Sequence, residues 1–405
     1  MLRFHRTALE SREQSEMRSL HFSSPATAPP LDDDDLLAEI LLRLPPQPSS
    51  LPRVSVVCKR WRSLVSDPGF SRRFRRHHRR NPPLLGCFMR GCYGLHFEPT
   101  MDPPNRLPQS RFPFPIDADD RSFTLLGCRH GFLLMLHTFQ GTLELLVWDP
   151  VSGHKHPIAA PRGFGVKNQI NGAVLRTALG VGDIQNFQVV LVSTDVEQQA
   201  IACVYSSETA VWGNRITTPL PPNVSSFSPA MVDRRVSIVL VGNSLYVSFL
   251  GKSSSIIEFD VGRQSLAVIP LPVRLDPNFS RFFSVMRAEG GGLGLLSMSK
   301  SDCSAQLWKR NTDCDGVASW VLGRTIDLDK LLSLHLENYQ DLEILGFAEE
   351  NNVVVLRVYG GVGVFTIQLD SLQFKKLTGI NLHCWHPFEN VYDAGNIMRS
   401  VTMLG

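Results

Sequence analysis

The feature that most limits what this chain can fold into is a strand-and-turn unit that recurs at an even interval. Val147-Trp148-Asp149-Pro150-Val151-Ser152-Gly153 is one copy. Glu258-Phe259-Asp260-Val261-Gly262 and Ile367-Gln368-Leu369-Asp370-Ser371-Leu372 are two more. Each is a β-prone run ending in a polar turn. Asp149, Asp260 and Asp370 stand 111 and 110 positions apart. Weaker equivalents near Cys203-Val204-Tyr205 and Gln306-Leu307-Trp308 halve that interval. A unit of this length holds about four short strands, and copies of it cover their exposed sheet edges best by closing into a ring.

Hairpin signals fill the intervals. Leu125 to Cys128 and Phe132 to Leu136 flank Arg129-His130-Gly131. Val236 to Val241 and Leu245 to Phe249 flank Gly242-Asn243-Ser244. Val353 to Tyr359 and Val362 to Leu369 flank Gly360-Gly361. Such pairs of runs around glycine-bearing turns read as antiparallel hairpins. Residues 84–400 are therefore expected to form an all-β domain, a kelch-like β-propeller of five to seven blades. A pair of β-sandwiches is the alternative, and it does not account for the even recurrence. Asp327 to Gln340 breaks the pattern with leucines at helical spacing, which predicts a short helix between blades.

The first part of the chain reads differently. Asp32 to Asp35 sit where carboxylates cap a helix start, and Leu36, Leu37, Ile40, Leu41 and Leu44 follow as an apolar stripe up to Pro45-Pro46. Ser49 or Ser50 is placed to cap a second helix, with Leu51, Val54, Val57 and Cys58 on its apolar face. Lys59-Arg60-Trp61-Arg62 opens a third with Leu64 and Val65. Asp67-Pro68-Gly69 reads as a turn before Phe70 and Phe74. A module this small leaves apolar surface wet unless something covers it. No other segment is helical enough to serve, so a partner protein is expected to do so.

These residues carry a resemblance. Leu-Leu-x-Glu-Ile-Leu-x-x-Leu-Pro (Leu36 to Pro45), Val-Cys-Lys-x-Trp (Val57 to Trp61) and Asp-Pro-x-Phe (Asp67 to Phe70) resemble an F-box, with Pro30-Leu31 in place of its usual Leu-Pro opening. The resemblance implies docking on the Skp-type adaptor of a Skp–cullin–F-box ubiquitin ligase. It implies that Pro30, Leu31, Leu36, Ile40, Leu44, Pro45, Val54, Val57, Cys58 and Trp61 face or support that adaptor. Cys128-Arg129-His130-Gly131-Phe132-Leu133-Leu134, Val147-Trp148-Asp149-Pro150 and Trp385-His386-Pro387-Phe388-Glu389-Asn390-Val391-Tyr392 are similar to the associated β-propeller of plant F-box proteins. The chain thus divides into a lead-in over 1–29, expected to be disordered, a small all-α F-box over 30–76, a basic linker over 77–83 and the propeller over 84–400.

Composition narrows the function. With 43% hydrophobic and 20% charged residues the chain can bury a substantial core. The net charge is +3, yet Arg72 to Arg80 alone holds six arginines, so the rest of the chain is slightly acidic and no general polyanion binder. The eight cysteines form no Cys-x-x-Cys pair and lie in apolar runs, which points to a reducing compartment without zinc or disulfides. Residence in the cytoplasm, the nucleus or both is expected, with no membrane association. No nucleophile elbow, phosphate loop or zinc-protease motif is present, and Gly290 to Gly294 reads as a hairpin turn. His154 and His156 lack a third ligand at useful spacing. The expectation is a protein with no enzymatic activity and no cofactor. It recruits an unidentified target protein through propeller loops and reaches the cullin through the adaptor. The rival is a propeller that binds nucleic acid or carbohydrate, anchored by the arginine run.

Overall fold

The computed structural model describes residues 31–91, 94–114, 122–165, 169–177, 186–195, 197, 199–221, 231–232, 237–250, 255–272, 283–299, 302–333, 342–360, 362–377 and 385–392. The expected lead-in over 1–29 and the adaptor residue Pro30 lie outside them.

Among the described residues four helices come first: α1 (Asp34–Leu42), α2 (Ser50–Ser55), α3 (Lys59–Ser66) and α4 (Pro68–His78). The aspartate run caps α1 as its chemistry requires. The Asp33 carboxylate accepts from the amides of Asp35 at 2.8 Å and Leu36 at 3.1 Å. Asp67 does the same for α4, accepting from the Phe70 amide at 2.8 Å. The expected turn at Asp67-Pro68-Gly69 is therefore a helix start, because proline in the first helical turn needs no amide partner. Ser49 is the residue before α2, yet its side chain caps nothing there. Its hydroxyl bonds instead to Asn105 Oδ1 at 2.6 Å.

All strands follow these helices. β1 (Leu84–Gly91) and β2 (Gly94–Pro99) lead. The first full blade is β3 (Phe123–Arg129), β4 (Phe132–Phe139), β5 (Thr142–Trp148) and β6 (Lys155–Ala159). The second is β7 (Asn171–Arg176), β8 (Phe187–Thr194) and β9 (Gln199–Ser206), with β10 (Val211–Trp212) and β11 (Ile216–Pro219) both on β9. The third is β12 (Met231–Val232) and β13 (Val239–Val241), both on β14 (Ser244–Leu250), then β15 (Ser255–Asp260) and β16 (Ser265–Pro270). The fourth is β17 (Phe283–Arg287), β18 (Leu293–Ser299), β19 (Ser304–Thr312) and β20 (Ala318–Asp327). The helix α5 (Leu328–Leu332) precedes the fifth: β21 (Leu342–Ala348), β22 (Val353–Val358), β23 (Gly363–Gln368) and β24 (Phe374–Leu377). β25 (Trp385–Glu389) pairs with β1 to complete the sixth, in the order β2-β1-β25.

The described residues thus form a six-bladed β-propeller, within the expected range. The 110-residue interval is two blades, and Asp149, Asp260 and Asp370 stand at or just past the ends of the third strands of blades one, three and five. Two of the three hairpins fall where the glycines put them. Arg129 pairs with Phe132 around His130-Gly131, both with positive φ, and Val241 pairs with Ser244 around Gly242-Asn243. The third, around Gly360-Gly361, joins Val358 to Gly363. Gly290 to Gly292 all have positive φ in the β17–β18 turn. The helix expected over Asp327 to Gln340 is the short α5. Asp327 caps it through the Lys330 amide at 2.9 Å, and 334–340 lie outside the described residues.

The ring closes by pairing both parts of the domain. β25 is the innermost strand of blade six and packs between β21 and β3. Gly346 of β21 comes so close that a Cβ there would lie 2.6 Å from the Trp385 carbonyl oxygen. Phe88 of β1 meets Phe388 at a ring distance of 5.1 Å and Trp148 of blade one at 5.8 Å. Both Phe88 and Phe388 are fully buried. Each ring removed from water contributes about 1.5–3 kcal/mol to closure.

The helices sit on the face where innermost strands end. Asn390, one residue past β25, donates to the Pro83 carbonyl at 3.2 Å. Val391 enters the helical core beside Leu37, Leu41, Leu51, Val65, Phe70 and Phe74. Asn105 fastens the other side, donating to Gln47 Oε1 at 3.0 Å. The expectation that only a partner protein covers the module is corrected here. A non-helical residue of the β domain supplies part of that cover.

Candidate docking surface and central channel

The leucine stripe of α1 splits in two. Leu37, Leu41 and Leu42 point inward and are at most 6% exposed, while Leu36 and Ile40, one turn apart, are 44% and 40% exposed. Leu31 is 44% exposed, and Val57, at the end of α2, is 59% exposed. Arg60 of α3 ties these parts together. It donates to the carbonyls of Leu31 and Asp32, each at 2.7 Å, and pairs with Asp34 at 2.7 Å. Of the other residues expected to meet the adaptor, Pro45 and Cys58 are exposed, Leu44 and Trp61 are half-buried, and Val54 is core. Cys58 also caps α3, its sulfur accepting from the Trp61 amide at 3.4 Å. Val56 is the most exposed large apolar side chain among the described residues at 74%. It was missed because the periodicity of a six-residue helix is too short to separate inside from outside.

The arginine run is exposed at Arg72, Arg73, Arg76, Arg79 and Arg80, but parts of it are engaged within the protein. Phe74 is buried, Arg73 pairs with Glu39, and the His78 ring bonds the Leu42 carbonyl at 2.8 Å. The charges of Arg79 and Arg75 act on the propeller instead. Burial, then Arg79, holds Arg176 down to about 10, with Arg75 adding to the effect. Burial, then Arg129, Arg176 and Arg79, presses His130 to about 3, so its ring is neutral.

The channel at the ring axis is filled by a polar network. Arg129 of blade one and Glu349 of blade five form a two-pronged ion pair across it, one contact at 2.7 Å, with side chains 9% and 10% exposed. Arg129 also donates to the Ile238 carbonyl at 2.5 Å, and Glu349 accepts from the Leu240 amide at 3.2 Å, both in blade three. His386 bonds Ser237 at 3.1 Å, and burial lowers its pKa to about 4. Glu389 accepts from the Glu350 and Asn351 amides at 3.3 and 2.8 Å and from Asn351 Nδ2 at 2.7 Å. Burial nevertheless pushes its pKa to about 7. Asn351 Nδ2 also donates to Pro82 O at 3.0 Å, which ties this network to the chain leaving α4. A cavity of about 30 Å³ remains among Pro82, Arg129, His130, Ser237 and Glu389. That is room for little more than water.

The imidazole that meets a hydroxyl in this network, His386 beside Ser237, is itself only 1% exposed. His156 is occupied with the Tyr205 hydroxyl at 3.1 Å. Among the described residues no group of three or more His, Cys, Asp or Glu side chains is disposed to hold a metal. Among them, no helix is long and apolar enough to cross a membrane.

Comparison with known proteins agrees with this architecture. Residues 33–73 match the F-box domain model, and residues 124–388 match the model described as F-box protein AT5G49610-like, beta-propeller. F-box protein At5g07610 of Arabidopsis thaliana is 23% identical over 83% of this chain and 81% of its own length. The Arabidopsis F-box/LRR-repeat/kelch-repeat protein At2g27520 is 24% identical over 80% of this chain and 83% of its own length. Among solved structures, AofleA from Arthrobotrys oligospora is similar with a TM-score of 0.35 and 12% identity, over 66% of this chain and 70% of that one. The propeller match alone spans more than half of the sequence. The chain therefore belongs to the F-box protein AT5G49610-like beta-propeller family, with an F-box domain ahead of its propeller.

Proposed function

We propose that this protein is the non-catalytic, substrate-recruiting subunit of a Skp–cullin–F-box ubiquitin ligase. The observation that supports it best is the split of the helical module. Its inner face is consumed by its own core and by Val391, yet Leu31, Leu36, Ile40, Val56 and Val57 stay exposed. Single exposed apolar residues are ordinary, but five on one small module mark a docking surface. The F-box takes the Skp-type adaptor and, through it, the cullin, while the propeller holds a target protein. The role is proximity: joining two binding events in one rigid body raises the effective concentration of target at the ligase. Residence in the cytoplasm or nucleus fits this reading. The rival anchored by the arginine run has less support, because Arg73 is paired with Glu39 and the charges of Arg75 and Arg79 bear on Arg176 of the propeller.

The test is co-purification with a Skp-type adaptor at high salt. Leu36→Asp with Ile40→Asp removes two side chains worth about 1.5–3 kcal/mol each on burial, so adaptor affinity falls at least about 100-fold. Both residues lie outside the core, so the melting temperature stays within about 2 °C of the parent. Unchanged adaptor binding by the double variant refutes the reading. Binding that follows the arginine run and collapses with salt favours the rival.

A further inference from the structure

Ring closure hides the innermost strands, but among the described residues each blade still ends in an outermost strand with no strand paired on its far side. Short length, proline and lysine blunt such edges. Five blades follow that pattern. β6 has Lys155 and Pro157, β11 ends in Pro219, β16 ends in Pro270, β24 has Lys375 and Lys376, and β2 ends in Pro99. Neighbours also tie some of these ends. The Trp212 indole donates to the Ala159 carbonyl at 2.8 Å, and the Trp320 indole to the Pro270 carbonyl at 2.8 Å.

The fourth blade departs from the pattern. β20 runs 10 residues, the longest strand described, without a proline or a lysine. Val321 and Leu322 are 46% and 42% exposed, and Val317 just before the strand is 61% exposed. Five of the exposed large apolar side chains belong to the F-box, and these three form the other group among the described residues. The hairpin also outruns its blade. Gly294 of β18 pairs with Lys309, and beyond it Arg310, Asn311 and Thr312 pair only with Trp320, Ser319 and Ala318. The tip is closed rather than frayed, because the Asp313 carboxylate accepts from the Asp315 and Val317 amides at 3.0 and 2.7 Å. One blunting device exists, a register shift opposite Leu307 and Trp308 at Gly323. It leaves Ala318 to Leu322 as a regular edge in front of it. By strand direction this overhang lies on the face that carries the F-box.

We propose that β20 is the target-docking edge, where an extended segment of the target polypeptide adds along Ala318 to Leu322 as a fifth strand. This deepens, and rests on, the recruiting role proposed above. Only another backbone matches alternating N–H and C=O groups at strand spacing, and Val321 and Leu322, consecutive and so on opposite faces of the sheet, offer an added strand one apolar contact on each face. A segment held on this overhang stands on the ligase side of the disc.

The probe is a displayed library of random peptides, panned against the full chain bound to a Skp-type adaptor. Selected peptides are expected to carry apolar residues at neighbouring positions, one for each face of the sheet, and to slow amide exchange over Ala318 to Leu322. N-methylation of alternate peptide residues removes two or more strand hydrogen bonds and weakens binding at least about tenfold. Val321→Lys with Leu322→Lys, which copies the blunting of the other blades, does the same, whereas Phe139→Lys on blade one does not. An unchanged melting temperature shows that the double variant is folded. Failure to enrich peptides against the parent over the double variant overturns the proposal, as does indifference to N-methylation. A dimer in sedimentation that the double variant abolishes also overturns it, by assigning the edge to a second copy of the chain. Loss of adaptor co-purification by the parent is a separate failure, that of the recruiting role itself.

Discussion

Glu389 makes the stability of this propeller depend on pH in a direction opposite to most carboxylates. The ordinary glutamate value is 4.5, and burial raises it to about 7 in the folded chain. The folded protein therefore holds this proton more tightly than the unfolded one. The contribution is fully present below pH 4.5 and is lost as pH rises through 7. Between pH 5 and pH 8 the loss from this group alone is about 2–3 kcal/mol. His386 and His130, held near 4 and 3, work the other way below pH 6.5, because they must stay neutral in the fold. Glu389→Gln isolates the carboxyl, since glutamine keeps the shape of the protonated acid and does not titrate. For a domain of this size, 2–3 kcal/mol is about 4 °C in melting temperature. The assay is thermal unfolding of parent and variant from pH 5 to pH 8. The parent should lose about 4 °C relative to Glu389→Gln across that range. A constant difference, or a parent that gains on the variant as pH rises, refutes the reasoning. It would mean that the three N–H donors and Arg129 hold Glu389 ionised throughout.

Two further perturbations test the frame. Arg129→Met strands the Glu349 carboxylate in the channel and should cost about 3–5 kcal/mol by chemical denaturation, with much of it recovered in Arg129→Met, Glu349→Met; equal stability of parent and single variant counts against a channel-spanning ion pair. Val391→Ala should loosen the F-box from the disc by about 1–3 kcal/mol, seen as faster proteolysis across 79–83 while the melting of the strands is unchanged. An unaltered cleavage rate would mean that Asn105 and the Pro83 contact alone seat the helices.

The sequence carried the repeat more clearly than the seams. Asp149, Asp260 and Asp370 mark every second blade because each stands at or just past the end of a third strand, and the carboxylates of the first two serve local turns while Asp370 accepts from the Asn352 and Gln368 side chains. Asp149 accepts from the Val151 amide at 2.9 Å and Asp260 from the Arg263 amide at 2.8 Å. Local hydrogen bonding of that kind leaves a local signature. The channel network left none. Arg129 and Glu349 are 220 positions apart, and nothing near either one announces the other. The F-box motif was legible as a string of anchors, but not which leucines face inward. Leu36 and Leu37 are equally apolar, and only packing against Phe70, Phe74 and Val391 separates them. The same holds for Asp67-Pro68-Gly69, whose residues suit a turn and a helix start equally. The exposed edge of β20 is legible only by comparison, once five other edges with prolines or lysines are in view.

The closing blade takes its inner strand from late in the sequence and its outer strands from just after the helices. A ribosome making this chain thus releases five-sixths of a ring before the piece that locks it. The same late stretch delivers Val391 to the helical core. Finishing the disc and seating the helices of the F-box are therefore one event, and a prematurely terminated product has neither. Only a chain read through to its closing strand can hold the helices and the blades as one rigid body.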